Sequence, residues 1–78
     1  MNEEIPLKVF RLGQISLTIL GVDKQSIEIK RAQKNPSGDW EYTEEFGRED
    51  LPKIQLLASE AYVWVERFKQ GGFEAVEN

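Results

Sequence analysis

Only one stretch of this chain repeats apolar residues at helical spacing, so everything before it must supply the surface that this helix buries. Leu51, Ile54, Leu57, Ala58, Ala61, Tyr62, Trp64, Val65 and Phe68 recur at the intervals of a single helix face. At ~100° per residue they cover roughly 160° of arc, wider than the ~100° stripe that one buried face needs. Gly47 or Asp50 is expected to cap the N-terminus. Pro52 fits the first turn, where backbone N–H groups have no helical partner, and Glu49 and Asp50 suit the positive end of the helix dipole. The helix is expected to run to about Gln70 and stop at Gly71-Gly72, with Arg67 and Lys69 in its last turns.

The preceding residues follow a different period. Leu7 to Leu12 mixes apolar and basic residues and breaks at Gly13, a first strand. Ile15, Leu17 and Ile19 then alternate with Ser16, Thr18 and Leu20, the mark of a half-buried strand. Gly21 to Lys24 supplies a turn, and Ile27 and Ile29 alternate with Ser26, Glu28 and Lys30 in a third strand. Asn35-Pro36-Ser37-Gly38-Asp39 is the strongest punctuation in the sequence and predicts a hairpin, because Pro fixes φ, Gly accepts φ > 0 and Asn and Asp bond back to the turn backbone. Trp40, Tyr42 and Phe46 share a phase in a fourth strand, with Glu41, Thr43 and Glu45 in the other. The fold class expected is α+β: a four-stranded antiparallel sheet followed by one long C-terminal helix, as a single domain over 5–72 with flexible termini at 1–4 and 73–78.

One helix on such a sheet buries only one side of itself. Leu56 and Val63 lie off the main arc, among Ser59, Glu60, Glu66 and Arg67. A second copy of the same helix is the simplest partner for the surplus, giving a homodimer with Leu56, Val63 and Trp64 at its interface. The alternative is that Leu56 and Val63 are scattered exposed residues of the ordinary kind. With 78 residues and no cysteine, the chain buries a modest share of its surface and has no disulfide to compensate, which also favours association.

The absence of Cys and His removes thiolate metal sites, thiol catalysis, Ser-His-Asp triads and imidazole acid-base chemistry. No glycine-rich phosphate loop, EF-hand or metal-ligand spacing is present, so neither metal nor cofactor is expected. Paired carboxylates such as Glu41 and Glu45 would need a cleft to act as acid and base, and a solvated acidic face is the simpler reading, so the chain is not expected to be an enzyme. The apolar-leaning run Ile15 to Val22 falls far short of the ~20 residues that span a bilayer. The acidic opening Met-Asn-Glu-Glu is unlike the basic start of a signal peptide, and a cytoplasmic location without a membrane partner is expected.

Charge is more informative where it is local. Leu7 to Gly38 holds Lys8, Arg11, Lys24, Lys30, Arg31 and Lys34 against Asp23 and Glu28, six minus two, or +4. Asp39 to Asp50 holds six acids against Arg48, one minus six, or −5. Such a split marks a surface for a polyanion beside an acidic flank, or strands whose opposite charges face each other. Lys30 and Arg31 project to opposite strand faces, so one of them faces solvent while the other snorkels at a sheet margin. Trp40 and Tyr42 read first as core filling, with stacking on nucleic-acid bases as their other use.

Four strands, one long helix and the third strand Ile27-Glu28-Ile29-Lys30-Arg31 ahead of a Pro-Gly turn together resemble the transcriptional positive cofactor four family and the related Whirly and Pur-alpha single-stranded nucleic-acid binders. The likeness runs over about Val9 to Phe68, and its most specific element is that Ile-x-Ile-basic strand. It implies a homodimer that binds single-stranded DNA or RNA on its sheet, weakly selective for sequence and related to transcription, with Arg11, Lys24, Lys30, Arg31 and Lys34 as the contact residues carried over. After the hairpin that family has a Pro and a Lys-Gly where this chain has Trp40-Glu41-Tyr42-Thr43-Glu44-Glu45, and acids there weaken phosphate binding. The stretch from Trp40 to Leu51 also resembles a widespread set of short bacterial proteins. The other reading of the same fold is a dimeric protein-interaction or assembly module whose acidic face has replaced nucleic-acid binding.

Overall fold

The computed structural model describes residues 5–69, and the expected tails at 1–4 and 73–78 and the Gly71-Gly72 stop lie outside the described residues. Four strands, β1 (Pro6–Leu12), β2 (Ile15–Leu20), β3 (Ser26–Lys34) and β4 (Trp40–Thr43), form one antiparallel sheet in the order β1-β2-β3-β4. A 3₁₀ turn over Arg48–Asp50 leads directly into α1 (Leu51–Lys69). The α+β class with a four-stranded antiparallel sheet and one C-terminal helix is therefore the observed architecture.

The alternation in β2 carries through to packing. Ile15, Leu17 and Ile19 are almost completely buried and meet Leu57 and Ala61 of α1 in the core. Phe10, Leu12, Ile29, Phe46, Ile54, Trp64 and Val65 pack around them. Because side chains alternate across a strand, the register fixes the rest: the partners of Ile15, Leu17 and Ile19 are Leu12, Phe10 and Lys8 on one side, and Arg31, Ile29 and Ile27 on the other. All of these share the face under α1. β1 slips register between Pro6 and Lys8, an irregularity at the edge of the sheet.

The punctuation at Asn35 forms the expected hairpin. The Asn35 Oδ1 accepts bonds from the backbone N–H groups of Ser37 and Asp39, each at 3.0 Å, and Gly38 takes the positive φ of 90° that a β-carbon would disfavour. At the helix entrance Gly47 is the N-cap. Its N–H donates to Asp50 Oδ2 at 2.8 Å, while the Asp50 N–H donates to the Gly47 carbonyl at 2.9 Å. Both residues proposed as caps thus act together, one through its backbone and the other through its side chain.

The aromatic phase of β4 departs from the expectation. The strand ends at Thr43, so Phe46 no longer follows its alternation and packs alone against the core. Trp40 and Tyr42 are 59% and 67% exposed, which corrects their reading as core residues. The pairing of Arg31 with Thr43 and of Ala32 with Tyr42 sets this phase, putting both rings on the face away from α1.

Candidate nucleic-acid interface

The sheet face opposite α1 has no covering element among the described residues. Arg11, Ser16 and Lys30 lie abreast on three neighbouring strands, since Arg11 pairs with Ser16 and Ser16 with Lys30. In the next row on this face Ala32 pairs with Tyr42, and in the row beyond Lys34 pairs with Trp40. With ~4.8 Å between strands and ~7 Å between successive residues on one face, these rows make a single patch near the Asn35 hairpin. Arg11, Lys34, Trp40 and Tyr42 are exposed, and the Lys30 side chain is 40% exposed.

Within the patch, the Lys34 ammonium sits 5.6 Å from the centre of the Trp40 ring, a cation-π contact that holds the ring beside a positive charge. Lys30 approaches Glu28 at 4.0 Å, a loose pair between two half-exposed side chains that a competing phosphate can displace. Ala32, beside Tyr42 in the middle row, is small and leaves the rings accessible. Strand residues on this face carry Arg11, Lys30 and Lys34 against Glu28, three minus one, or +2. Glu41 is absent from this sum because it pairs with Gln33 on the other face, where the Gln33 amide donates to its carboxylate at 3.2 Å.

Arg31 has a different fate from Lys30. On the α1 side its guanidinium Nε lies 3.4 Å from Asp50 Oδ2 and donates to the Glu45 carbonyl at 3.2 Å. Asp50 is buried and also receives the Gly47 N–H, so Arg31 ties β3 to the helix entrance and to the segment after β4. Lys24 sits in the turn between β2 and β3, at the opposite end of the sheet from the Asn35 hairpin. Of the five basic residues singled out from sequence, Arg11, Lys30 and Lys34 come together, and Lys24 and Arg31 lie elsewhere. The rings of Trp40 and Tyr42 join them.

Leu56 and Val63 are exposed, and Trp64 is half-buried and stacks on Phe68 with ring centres 5.2 Å apart. Val63 and Trp64 border an open groove of about 470 Å³ on the β1 side of the helix, together with Phe10, Glu60 and Arg67. Among the described residues no group of three or more His, Cys, Asp or Glu is placed to hold a metal, and no helix is long and apolar enough to cross a membrane. No protein-family model, curated protein or solved structure matches the chain.

Proposed function

We propose that this chain binds single-stranded nucleic acid on its open sheet face, with Trp40 and Tyr42 as stacking platforms and Arg11, Lys30 and Lys34 as phosphate contacts. The observation that carries the reading is that two exposed rings and three basic residues share one uncovered face. Base stacking is worth ~1–3 kcal/mol per base and needs no particular sequence, while Lys and Arg neutralise the backbone. Trp40 and Tyr42 stand ~7 Å apart on one strand, about twice the 3.4 Å rise of a stacked base, so each can carry a base of its own. The acid of β4 that alternates with these rings, Glu41, belongs to the other face and does not oppose the patch.

Arg31 is left out of the contact set because Asp50 already holds it, and Lys24 because it lies at the far end of the sheet. The test is a titration of labelled single-stranded oligonucleotide at low salt. With about three phosphates neutralised per protomer, log affinity is expected to fall against log salt with a slope near −2, at ~0.7 per phosphate for single strands. Lys30→Glu combined with Lys34→Glu is expected to abolish binding. Absence of salt-sensitive binding at ~20 mM salt and tens of micromolar protein rejects the reading.

A further inference from the structure

One edge of the sheet is only half paired. β4 meets β3 at Arg31 to Lys34 alone, so the stretch from Ser26 to Lys30 has β2 on one side and no strand among the described residues on the other. The phase of the ladder says which backbone groups this leaves open. The Ala32 N–H donates to the Gln14 carbonyl toward β2, while the Asn35 N–H donates to the Asp39 carbonyl on the β4 side. Bonding direction alternates along an antiparallel strand, so Glu28 and Lys30 bond to β2, and the N–H and C=O groups of Ile27 and Ile29 point into the lane that a longer β4 would fill. The opposite edge of the sheet, β1, carries Pro6 and a register slip, features that discourage strand addition; Ser26 to Lys30 contains neither.

An apolar groove adjoins this lane. α1 packs over β1 and β2, and on its far side Ile27 and Ile29 line a groove of about 360 Å³ together with Ala58, Tyr62 and Val65 of the helix. A residue placed directly opposite Ile27 or Ile29 shares their face of the sheet and points toward that groove, whereas one opposite Glu28 points to the open face. The lane therefore fits an extended backbone with apolar side chains at alternate positions. Charge narrows the choice further. Glu28 is exposed, and the exposed Glu44 and Glu45 follow β4 at the Arg31 end of the lane; against Lys30 these give one minus three, or −2. Arg31 adds nothing here, because Asp50 holds it.

We propose that the open edge of β3 takes up a short extended segment of a partner protein by strand addition, antiparallel to β3, with apolar residues opposite Ile29 and Ile27 and a basic residue opposite Glu28. In this mode main-chain hydrogen bonds supply affinity and alternate side chains supply selectivity. The antiparallel direction is the one β4 already takes in the same lane, and its ladder is slightly the more stable. Charge sets aside two other occupants. A second copy that pairs its Ile29 with Ile27 about a twofold axis sets Glu28 against Glu28, like charges directly opposite. The chain's own segment 70–78 carries Glu74 and Glu77 and no basic residue, so it meets Glu28, Glu44 and Glu45 with like charge. The proposal stands apart from the nucleic-acid reading, because it rests on a strand edge and the groove under α1 and uses neither Trp40 nor Tyr42.

The test is an NMR titration of the isotope-labelled full chain with the acetylated, amidated peptide Lys-Thr-Val-Lys-Val-Thr, whose valines match the positions opposite Ile29 and Ile27. Amide shifts are expected to change over 26–30 and at Tyr62 and Val65, with a dissociation constant below ~1 mM. The Ile27 and Ile29 amides are expected to exchange with solvent more slowly once peptide is bound. Methylating both valine nitrogens keeps the side chains but removes the donors to the Ile27 and Ile29 carbonyls, and is expected to weaken binding ~10-fold or more. Ile27→Pro deletes a lane-facing N–H without touching a bond to β2, a position where strands tolerate proline, and is expected to weaken the unmodified peptide similarly while far-UV circular dichroism stays unchanged. No saturable shift at ~2 mM peptide, shifts confined to another surface, or a methylated peptide that binds as well as its parent overturns the proposal. So does slow exchange of Ile27 and Ile29 in the chain alone: its loss on ending the chain at Lys69 assigns the lane to 70–78, and its growth with protein concentration assigns it to a second copy.

Discussion

Lys30 and Arg31 are neighbours in the chain with the same charge, and the sheet between them gives them opposite employments. Arg31 lies on the covered face, where a buried carboxylate and a backbone carbonyl hold its guanidinium. Lys30 lies on the open face with only a 4.0 Å approach to Glu28. A planar guanidinium suits fixed, multiply bonded partners, whereas an ammonium on a flexible stem suits a mobile anion. A basic dipeptide in a strand is thus one structural residue and one available residue, and the covering helix decides which is which.

The strongest way to break this contrast is to loosen the cover itself. Leu57→Ala, at a side chain only 2% exposed, is expected to cost about 2–5 kcal/mol, read as a lower urea midpoint. That is a large share of the ~4–12 kcal/mol expected for a chain of this length. Next comes the covered-face pair. Arg31→Ala leaves the Asp50 carboxylate buried with only the Gly47 N–H to solvate it, and a loss of about 1–3 kcal/mol in the same urea titration is expected. The substituted protein, where folded, should keep its affinity for oligonucleotide. A stability equal to wild type would show that the tie to the helix entrance contributes nothing.

On the open face the effects reverse. Trp40→Ala and Tyr42→Ala are each expected to weaken single-strand binding by ~1–3 kcal/mol in a fluorescence anisotropy titration, with thermal stability nearly unchanged. Lys30→Glu is expected to shift stability by less than ~0.5 kcal/mol, the ordinary range for a surface charge, while it lowers affinity. The smallest effect sharpens the contrast most. Glu41→Gln is expected to leave binding unchanged, because its side chain belongs with Gln33 on the other face, and a clear gain in affinity would show that the acids of β4 border the bound strand after all.

Much of the fold was legible because the signals were local. The alternation of Ile15, Leu17 and Ile19 named the centre of the core, the Asn35 to Asp39 segment named its hairpin, and Gly47 and Asp50 marked the start of the helix. What stayed hidden depended on pairings across the chain. Alternation separates two faces of β4 but does not say which one a helix covers, so Trp40 and Tyr42 could be assigned to the core until the pairing of Ala32 with Tyr42 fixed them outside it. Likewise, the opposite projections of Lys30 and Arg31 followed from strand geometry, whereas the partner that engages Arg31, Asp50, lies beyond another strand and a turn. Arg11, Lys30 and Lys34 were singled out individually. Their assembly beside two rings is a property of register.

The strand order β1-β2-β3-β4 also has a kinetic consequence. Each strand pairs with its neighbour in sequence, so every ladder closes through a short loop, and individual hairpins of this kind form in about 1–10 μs. The central strand β2 nevertheless gains a covered face only when α1 arrives from the other end of the domain. The hairpins are therefore expected to be fluctuating and marginal until helix docking, which makes the meeting of Leu57 and Ala61 with the buried residues of β2 the event that commits the chain. Leu57→Ala should then slow refolding as well as speed unfolding, whereas Trp40→Ala, at a ring outside that contact, should alter neither limb of the chevron.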